Sequence, residues 1–321
     1  MHTESVDVII PVYRPDEKLK KLIKRLEAQS HPVHEIILIN TEKKYFDDCF
    51  RGDDLLTRYD NIRVRHICKE QFDHGATRRL GVSLSKADYF ICMTDDAVPA
   101  DHFLVERLLE PLLEGKAQVS YARQLAGKDS DVIERCSRRF NYPKESRIKT
   151  KADLETMGIK AFFCSNVCAA YVRKTYDEQG GFEKHMIFNE DMVFAGRLLH
   201  AGGKIAYVAQ ARVLHSHHYT ARQQFKRNFD LGVSQAQFPE LFEGVSSSSE
   251  GIKLLRVISA HLLKKKEAEK IPAVFWNCGC RYLGYRFGKG YRKLPQKLIR
   301  LFTMNEGYWD RDKREAACGG R

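Results

Sequence analysis

The sequence predicts an α/β protein: a mostly parallel central sheet flanked by helices, continued by a basic helical C-terminal extension. Three observations carry this. Two β-rich apolar runs, Val6 to Tyr13 and Glu35 to Asn40, are separated by one amphipathic helix, the β-α-β order of a parallel pair with a right-handed crossover. The apolar run Tyr89-Phe90-Ile91-Cys92-Met93 halts at Thr94-Asp95-Asp96, as a buried strand does when its carboxyl end opens on a crevice where ligands of such sheets sit. From Gly251 onward, 17 Lys and Arg stand against 6 Asp and Glu, whereas the first 250 residues carry 37 and 36.

The first strand breaks at Pro11, and Arg14-Pro15-Asp16 supplies turn and cap signals. Between Glu17 and Gln29, Leu19, Leu22, Ile23 and Leu26 recur at helical spacing, with lysine and arginine on the opposite face. Thr41 to Tyr59 is irregular, and Ile62 to Ile67 alternates like a one-sided strand. In Phe72-Asp73-His74-Gly75-Ala76-Thr77-Arg78-Arg79, a glycine opens a helix whose first turn carries two arginines. Free amides at a helix start beside guanidinium groups make a phosphate site, although a plain turn with solvent-facing charges reads equally well there. Two adjacent acids at Asp95-Asp96 are costly to keep together without a cation, and a hard divalent ion with oxygen ligands is the usual remedy.

Asp101 to Leu113 reads as a helix and Ala117 to Ala122 as a strand. From Arg123 to Lys160 periodicity weakens and charge rises, the pattern of a long functional loop bordering an acceptor site. Ala161 to Val172 reads as a buried strand pair or strand-turn. Asn189-Glu190-Asp191 precedes a helix from Met192 to His200 that Gly202-Gly203 ends; the mundane role of Asp191 there is a helix cap. Lys204 to Val208 and Ala211 to Leu214 read as a second β pair, after which His215 and His217 alternate as ligands on one strand face would. Ala221 to Ala236 is helical, Ser246 to Ser249 marks a junction, and helices rich in lysine and aromatic residues follow. The expected division is residues 1–245 and 246–321.

At 43% hydrophobic and 30% charged the 321-residue chain is ordinarily globular. It has no apolar run near the ~18 residues of a membrane span, and its first residues lack the pattern of an export leader, so the expected place is the cytoplasm. Nine scattered cysteines suit reduced thiols better than a disulfide frame or a zinc site. The basic tail, with Trp276, Tyr282, Tyr285 and Phe287, fits an anionic surface, either lipid headgroups or nucleic acid.

Taken in order, VDVIIPVYRP, EIILINTE, FDHGATRRLGVSLSKADYFICMTDDAVP, FNEDMVFAGRLLHAGGKIAYV and ARVLHSHHYT resemble the family 2 glycosyltransferases of the GT-A fold. Among these the bacterial rhamnosyltransferase-like members are the most similar. The resemblance covers about residues 5 to 225. It implies inverting transfer of a sugar, rhamnose from dTDP-rhamnose preferred over UDP-sugars, from a nucleotide-diphosphate donor to a hydroxyl of a glycan or lipid-linked acceptor, with Mg²⁺ or Mn²⁺. Carried over by position, Pro11, Val12 and Tyr13 line the base pocket, with Asn40 where many members have an aspartate. Asp73, Gly75 and Arg78 lie near the ribose and diphosphate. Asp96 is the main metal ligand of the D-x-D element, whose first aspartate is here Thr94, so that Asp95 is left to help with the donor. Asp191 matches the catalytic base, with Glu190 beside it, and His215 or His217 joins the metal or diphosphate. The implied location is the cytoplasm, peripheral on the inner face of the plasma membrane. A nucleotidyltransferase is disfavoured because the first strand lacks a glycine-rich, lysine-bearing phosphate loop. No nucleic-acid partner is expected, because no recognition motif accompanies the basic tail. An inactive transferase fold stays open through Thr94.

Overall fold

The structure, a computed structural model, describes residues 4–127, 130–216, 219–245 and 248–310. Its strands are β1 (Val6–Tyr13), β2 (Glu35–Thr41), β3 (Ile62–Ile67), β4 (Tyr89–Met93), β5 (Val98–Pro99), β6 (Val119–Leu125), β7 (Arg147–Lys149), β8 (Cys168–Val172) and β9 (Ile205–Leu214). They form one sheet in the order β3-β2-β1-β4-β8-β6-β9-β5, with β7 paired to β9. The first four strands are parallel, as the β-α-β pattern requires. Beyond β4 the sheet is mixed: β8 runs antiparallel to both β4 and β6, whereas β9 is parallel to β6.

The pleat divides the core into two layers. Val6, Val8, Ile10, Ile36 and Leu38 pack with Leu19, Leu22 and Leu104 on one face, while Ile9, Ile37, Ile39, Phe90 and Cys92 pack with Val82 and Phe194 on the other. Alternate residues of one strand thus serve opposite layers. Gly81 lets helix His74–Leu84 lie directly on the sheet, since a Cβ there would stand 2.3 Å from the Ile9 Cγ2 atom.

Several expected elements change. Residues 204–208 and 211–214 belong to one continuous β9, whose pairing with β6 shifts register between Ala122 and Arg123. The expected long loop contains the end of β6, helix Val132–Asn141, β7 and helix Asp153–Met157. β7 hides Lys149 completely. Its ammonium donates to the Phe163 and Lys160 carbonyls and sits 4.8 Å from the Tyr121 ring centroid, and burial pushes it down to about 7. Residues 41–59 contain helix Lys43–Phe50. The C-terminal helices pack on the body: helix Ser248–Lys264 meets helix Val132–Asn141 through Leu254, Ile258 and Cys136. Helix Ile271–Lys289 lies against helix Ala221–Gln237, where Gly284 and Gly288 approach the Phe225 and Phe229 carbonyls too closely for any Cβ.

Candidate active site

Strand direction decides which residues meet. The carboxyl ends of β1, β2, β4, β6 and β9 and the amino end of antiparallel β8 all open on one edge of the sheet. That edge therefore gathers Tyr13, Asn40, Thr94, Asp95, Asp96, Gln124, Asn166 and His215 from positions up to two hundred residues apart in the chain.

One wall is the end of β1 and β4. A cleft of about 290 Å³ is lined by Tyr13, Arg14, Asp16, Lys18, Leu19, Thr94, Asp95 and Asp96. Tyr13 meets Tyr45 edge-to-face at 5.9 Å, and the Arg14 guanidinium lies over both rings while donating to the Tyr45 hydroxyl at 3.1 Å. Together they form a cationic and aromatic rim that a planar ring can stack on or meet edge-on. Val12 does not share in this: its side chain belongs to the core, because it alternates with Tyr13 along the strand. Pro11, opposite Ile39 in β2, is half-buried and lies outside the cleft lining. Asn40 is fully buried; its amide nitrogen meets His66 Nδ1 at 2.9 Å, and its Oδ1, like the hydroxyl of Thr41, has no partner. The Thr94 hydroxyl is likewise unsatisfied.

Asp95 and Asp96 stand side by side. Burial first, and the Asp96 charge second, push the Asp95 carboxyl up to about 7. His215 Nε2 lies 3.4 Å from Asp96 Oδ1, and its Nδ1 lies 3.0 Å from Gln124 Oε1. Arg138 Nη1 points at the same Gln124 oxygen. Arginine can only donate, so the Gln124 atom is its oxygen, and His215 must donate to it through Nδ1–H. In the neutral ring, Nε2 then presents its lone pair toward Asp96. The donor types, two carboxylates and an imidazole nitrogen, suit a hard or borderline divalent cation, and Gln124 fixes the ring as an outer partner, but among the described residues no three His, Cys, Asp or Glu side chains converge as a ready metal site. His217 lies outside the described residues.

The other wall is the start of helix Glu190–His200, entered through Asn189 in a left-handed conformation (φ 69°). Glu190 points inward to a 3.0 Å ion pair with Arg78 and accepts from Asn166 Nδ2 at 2.9 Å. Tyr171 donates to Asn166 Oδ1 at 2.6 Å. Asp191 points elsewhere: its Oδ2 accepts from the Asn166 amide at 2.8 Å and its Oδ1 from the Met192 amide. Burial, then the Glu190 charge, push the Asp191 carboxyl up to about 7. The helix cap is Asn189, so Asp191 is not the capping residue.

Three residues expected near the donor serve the scaffold. Asp73 caps helix His74–Leu84 through the Gly75 and Ala76 amides, and also accepts from Met186 N and His185 Nδ1. Gly75 is where that helix meets Glu183, whose carbonyl would lie 2.1 Å from a Cβ. Arg78 is buried, with its charge matched by Glu190. His185 is stacked flat on Tyr308 at 4.3 Å, and Asp230 accepts from Thr303, Met304 and Asn305, so the C-terminal segment grips the loop that leads to Asp191.

The two walls are joined. Thr94 N donates to the Val167 carbonyl, next to Asn166, and Gln124 Nε2 donates to Ser165 Oγ at 2.9 Å while its oxygen holds His215. Asn166 and Gln124, absent from the expected set, are the residues that tie the site together. Their only sequence signal is a polar side chain at the end of an apolar run.

This sheet, with acids at its carboxyl edge and a held carboxylate opposite, is the GT-A glycosyltransferase fold. Of solved structures, a mannosyltransferase from Pyrobaculum calidifontis in complex with GDP-Man and Mn²⁺ superposes with a TM-score of 0.54 at 11% identity, covering 99% of this chain and 87% of that one. Staphylococcus aureus TarS in complex with UDP-GlcNAc does so with a TM-score of 0.54 at 10% identity, over 90% and 92%. Residues 7–180 match the family described as Glycosyl transferase family 2. The chain is 34% identical over 308 residues to the O-antigen chain rhamnosyltransferase RfbN of Salmonella typhimurium and 32% identical over 309 residues to WbaN of Salmonella anatum, in each case over 95% of this chain and 96% of the relative. The chain belongs to glycosyltransferase family 2, and it is a glycosyltransferase.

Proposed function

We propose that the protein transfers rhamnose from dTDP-rhamnose, with inversion, to a hydroxyl of a glycan or lipid-linked acceptor during O-antigen-type polysaccharide synthesis. It does so in the cytoplasm, at the inner face of the plasma membrane. The observation that carries this reading is the meeting at one sheet edge of Asp95, Asp96 and His215 with the separately held carboxylate of Asp191. The likeness over 95% of the chain to two rhamnosyltransferases supports the choice of sugar.

Tyr13, Arg14 and Tyr45 hold the base. Asp96 and His215, with Asp95, would hold a divalent cation, which when bound neutralises the departing diphosphate. Asp191 takes the proton of the attacking hydroxyl. Its carboxyl, pushed up to about 7, is basic enough to accept that proton yet half ionised near neutrality and mostly ionised above it. Glu190, matched by Arg78, fixes the helix start that aims Asp191. A single displacement inverts the anomeric centre, with no covalent sugar intermediate.

The test is a thermal-shift screen with dTDP- and UDP-sugars, with Mn²⁺ and with chelator, on the parent and on Asp96→Ala. The expected outcome is a Mn²⁺-dependent rise in Tm with dTDP-rhamnose that Asp96→Ala abolishes. A shift with UDP-sugars alone would replace the donor, and no shift with any donor would overturn the choice of a dTDP- or UDP-sugar.

A further inference from the structure

The body and the C-terminal helices present different surfaces. Of the sixteen large hydrophobic side chains that are exposed among the described residues, eleven lie between Ile252 and Met304. The densest group is on helix Ile271–Lys289, where Phe275, Trp276, Tyr282, Leu283 and Phe287 are all exposed, Trp276 at 70%. Phe275 and Tyr282, and Trp276 and Leu283, are seven residues apart and Leu283 and Phe287 four, which puts all five on one face. The opposite face carries Val274, Gly284 and Gly288, which are buried, the two glycines against helix Ala221–Gln237. Tyr285, expected on the outer face from its aromatic character, turns inward, and its hydroxyl donates to Gln235 Oε1 at 2.8 Å.

Leu298 and Leu301 on helix Gln296–Phe302, and Met304 after it, extend the exposed apolar group. Charge mostly of one sign adjoins it, although Arg300 is paired with Asp310 at 2.7 Å. From Arg286 to Arg300 the chain carries Arg286, Lys289, Arg292, Lys293, Lys297 and Arg300, all exposed, and no acid. Helix Ile271–Lys289 has no acid along its whole length, and no helix of the described residues is long and apolar enough to cross a membrane.

We propose that this face, from Phe275 to Met304, lies in the headgroup layer of an anionic phospholipid bilayer. Aromatic rings enter the boundary between headgroups and acyl chains, and the flanking cations meet lipid phosphates. A second copy of the chain fits the face poorly, because a two-fold contact would set the Arg286 to Arg300 cations of both copies against each other. The assignment of the face rests on the proposed function only for the purpose of the contact, which brings the site to an acceptor held in the membrane.

The test is flotation of the full chain with vesicles of phosphatidylcholine alone and of phosphatidylcholine with phosphatidylglycerol, with no sugar nucleotide present. Phe275→Ser, Trp276→Ser and Leu283→Gln are introduced together, and light scattering reports mass without lipid. The expected result is binding to the anionic vesicles, weakened by about tenfold or more in the triple variant from the lost apolar insertion and reduced by salt. The variant's Tm and its donor-induced thermal shift stay as in the parent. Failure of the parent to bind anionic vesicles overturns the proposal. So does a parent that is dimeric where the variant is monomeric, which assigns the face to a second copy. Both results leave the sugar-transfer reading intact, because that reading is tested by donor binding.

Discussion

Two pairs of neighbouring acids face each other across the edge of the sheet, and they are kept in opposite ways. Asp95 and Asp96 crowd each other at the end of β4, beside the unsatisfied hydroxyl of Thr94. Glu190 and Asp191 are also adjacent, but Arg78, Asn166 and two backbone amides hold both. The first wall raises a carboxyl by burial and a neighbouring like charge; the second matches its buried Glu190 with an arginine. A binding wall gains by postponing its electrostatic satisfaction until a partner arrives, whereas a base has to be aimed before the substrate comes.

The largest effect expected of any single change is on turnover. Asp191→Asn should lower kcat by about 10²- to 10⁴-fold, the usual worth of a positioned base, while donor binding read by thermal shift is unchanged. If donor binding falls along with turnover, the two walls are not separable and the contrast breaks. Next in size is stability. Arg78→Ala leaves Glu190 buried and unmatched and should cost about 3–5 kcal/mol in urea unfolding. Asp96→Ala removes a like charge beside Asp95 and should cost less than about 1 kcal/mol. Equal losses for the two variants would show that the two pairs of acids are held alike.

The smallest effect is in pH. The folded Asp191 carboxyl stands at about 7, raised above the ordinary carboxylate range. Between those values the native state keeps a proton that the unfolded chain has released, so on this account stability falls as pH rises through about 7. Asp191→Asn should therefore match the parent's Tm below about pH 4, exceed it by an amount that grows as pH rises toward about 7, and keep a constant margin above that. Parent turnover should rise with pH through about 7. An Asn variant that gains at acid pH instead would reverse the sign and remove Asp191 from the role of a buried, raised base.

The parallel half of the fold was legible because each strand there is a continuous apolar run and each helix has a regular stripe, as at Leu19, Leu22, Ile23 and Leu26. Residues 123–160 were not. Their strand hides a lysine, and a buried Lys149 satisfied by two carbonyls and a ring reads in sequence as a surface charge. In the site, Asp95, Asp96, Asp191 and His215 were legible as acids and an imidazole at the ends of apolar runs. Asp73, Gly75 and Arg78 had the right composition for a phosphate site, but their partners, Met186, Glu183 and Glu190, lie over a hundred residues away in sequence. Asn166 and Gln124 were passed over for the same reason: an amide shows its value only when both of its ends have been placed.

The grip of the C-terminal segment on the loop before Asp191 has a consequence in time. Asp230 holds residues 303–305 and Tyr308 covers His185, so the brace for residues 185–191 is among the last parts of the described chain to be made. At about 10 residues per second of synthesis, the acids of β4 emerge roughly 20 s before Tyr308 does. Each new molecule thus passes through an interval in which the floor of the cleft is built and the loop before Asp191 lacks its C-terminal brace. A ribosome that stalls in the final helices leaves a chain with its sheet in place and the loop before Asp191 unbraced.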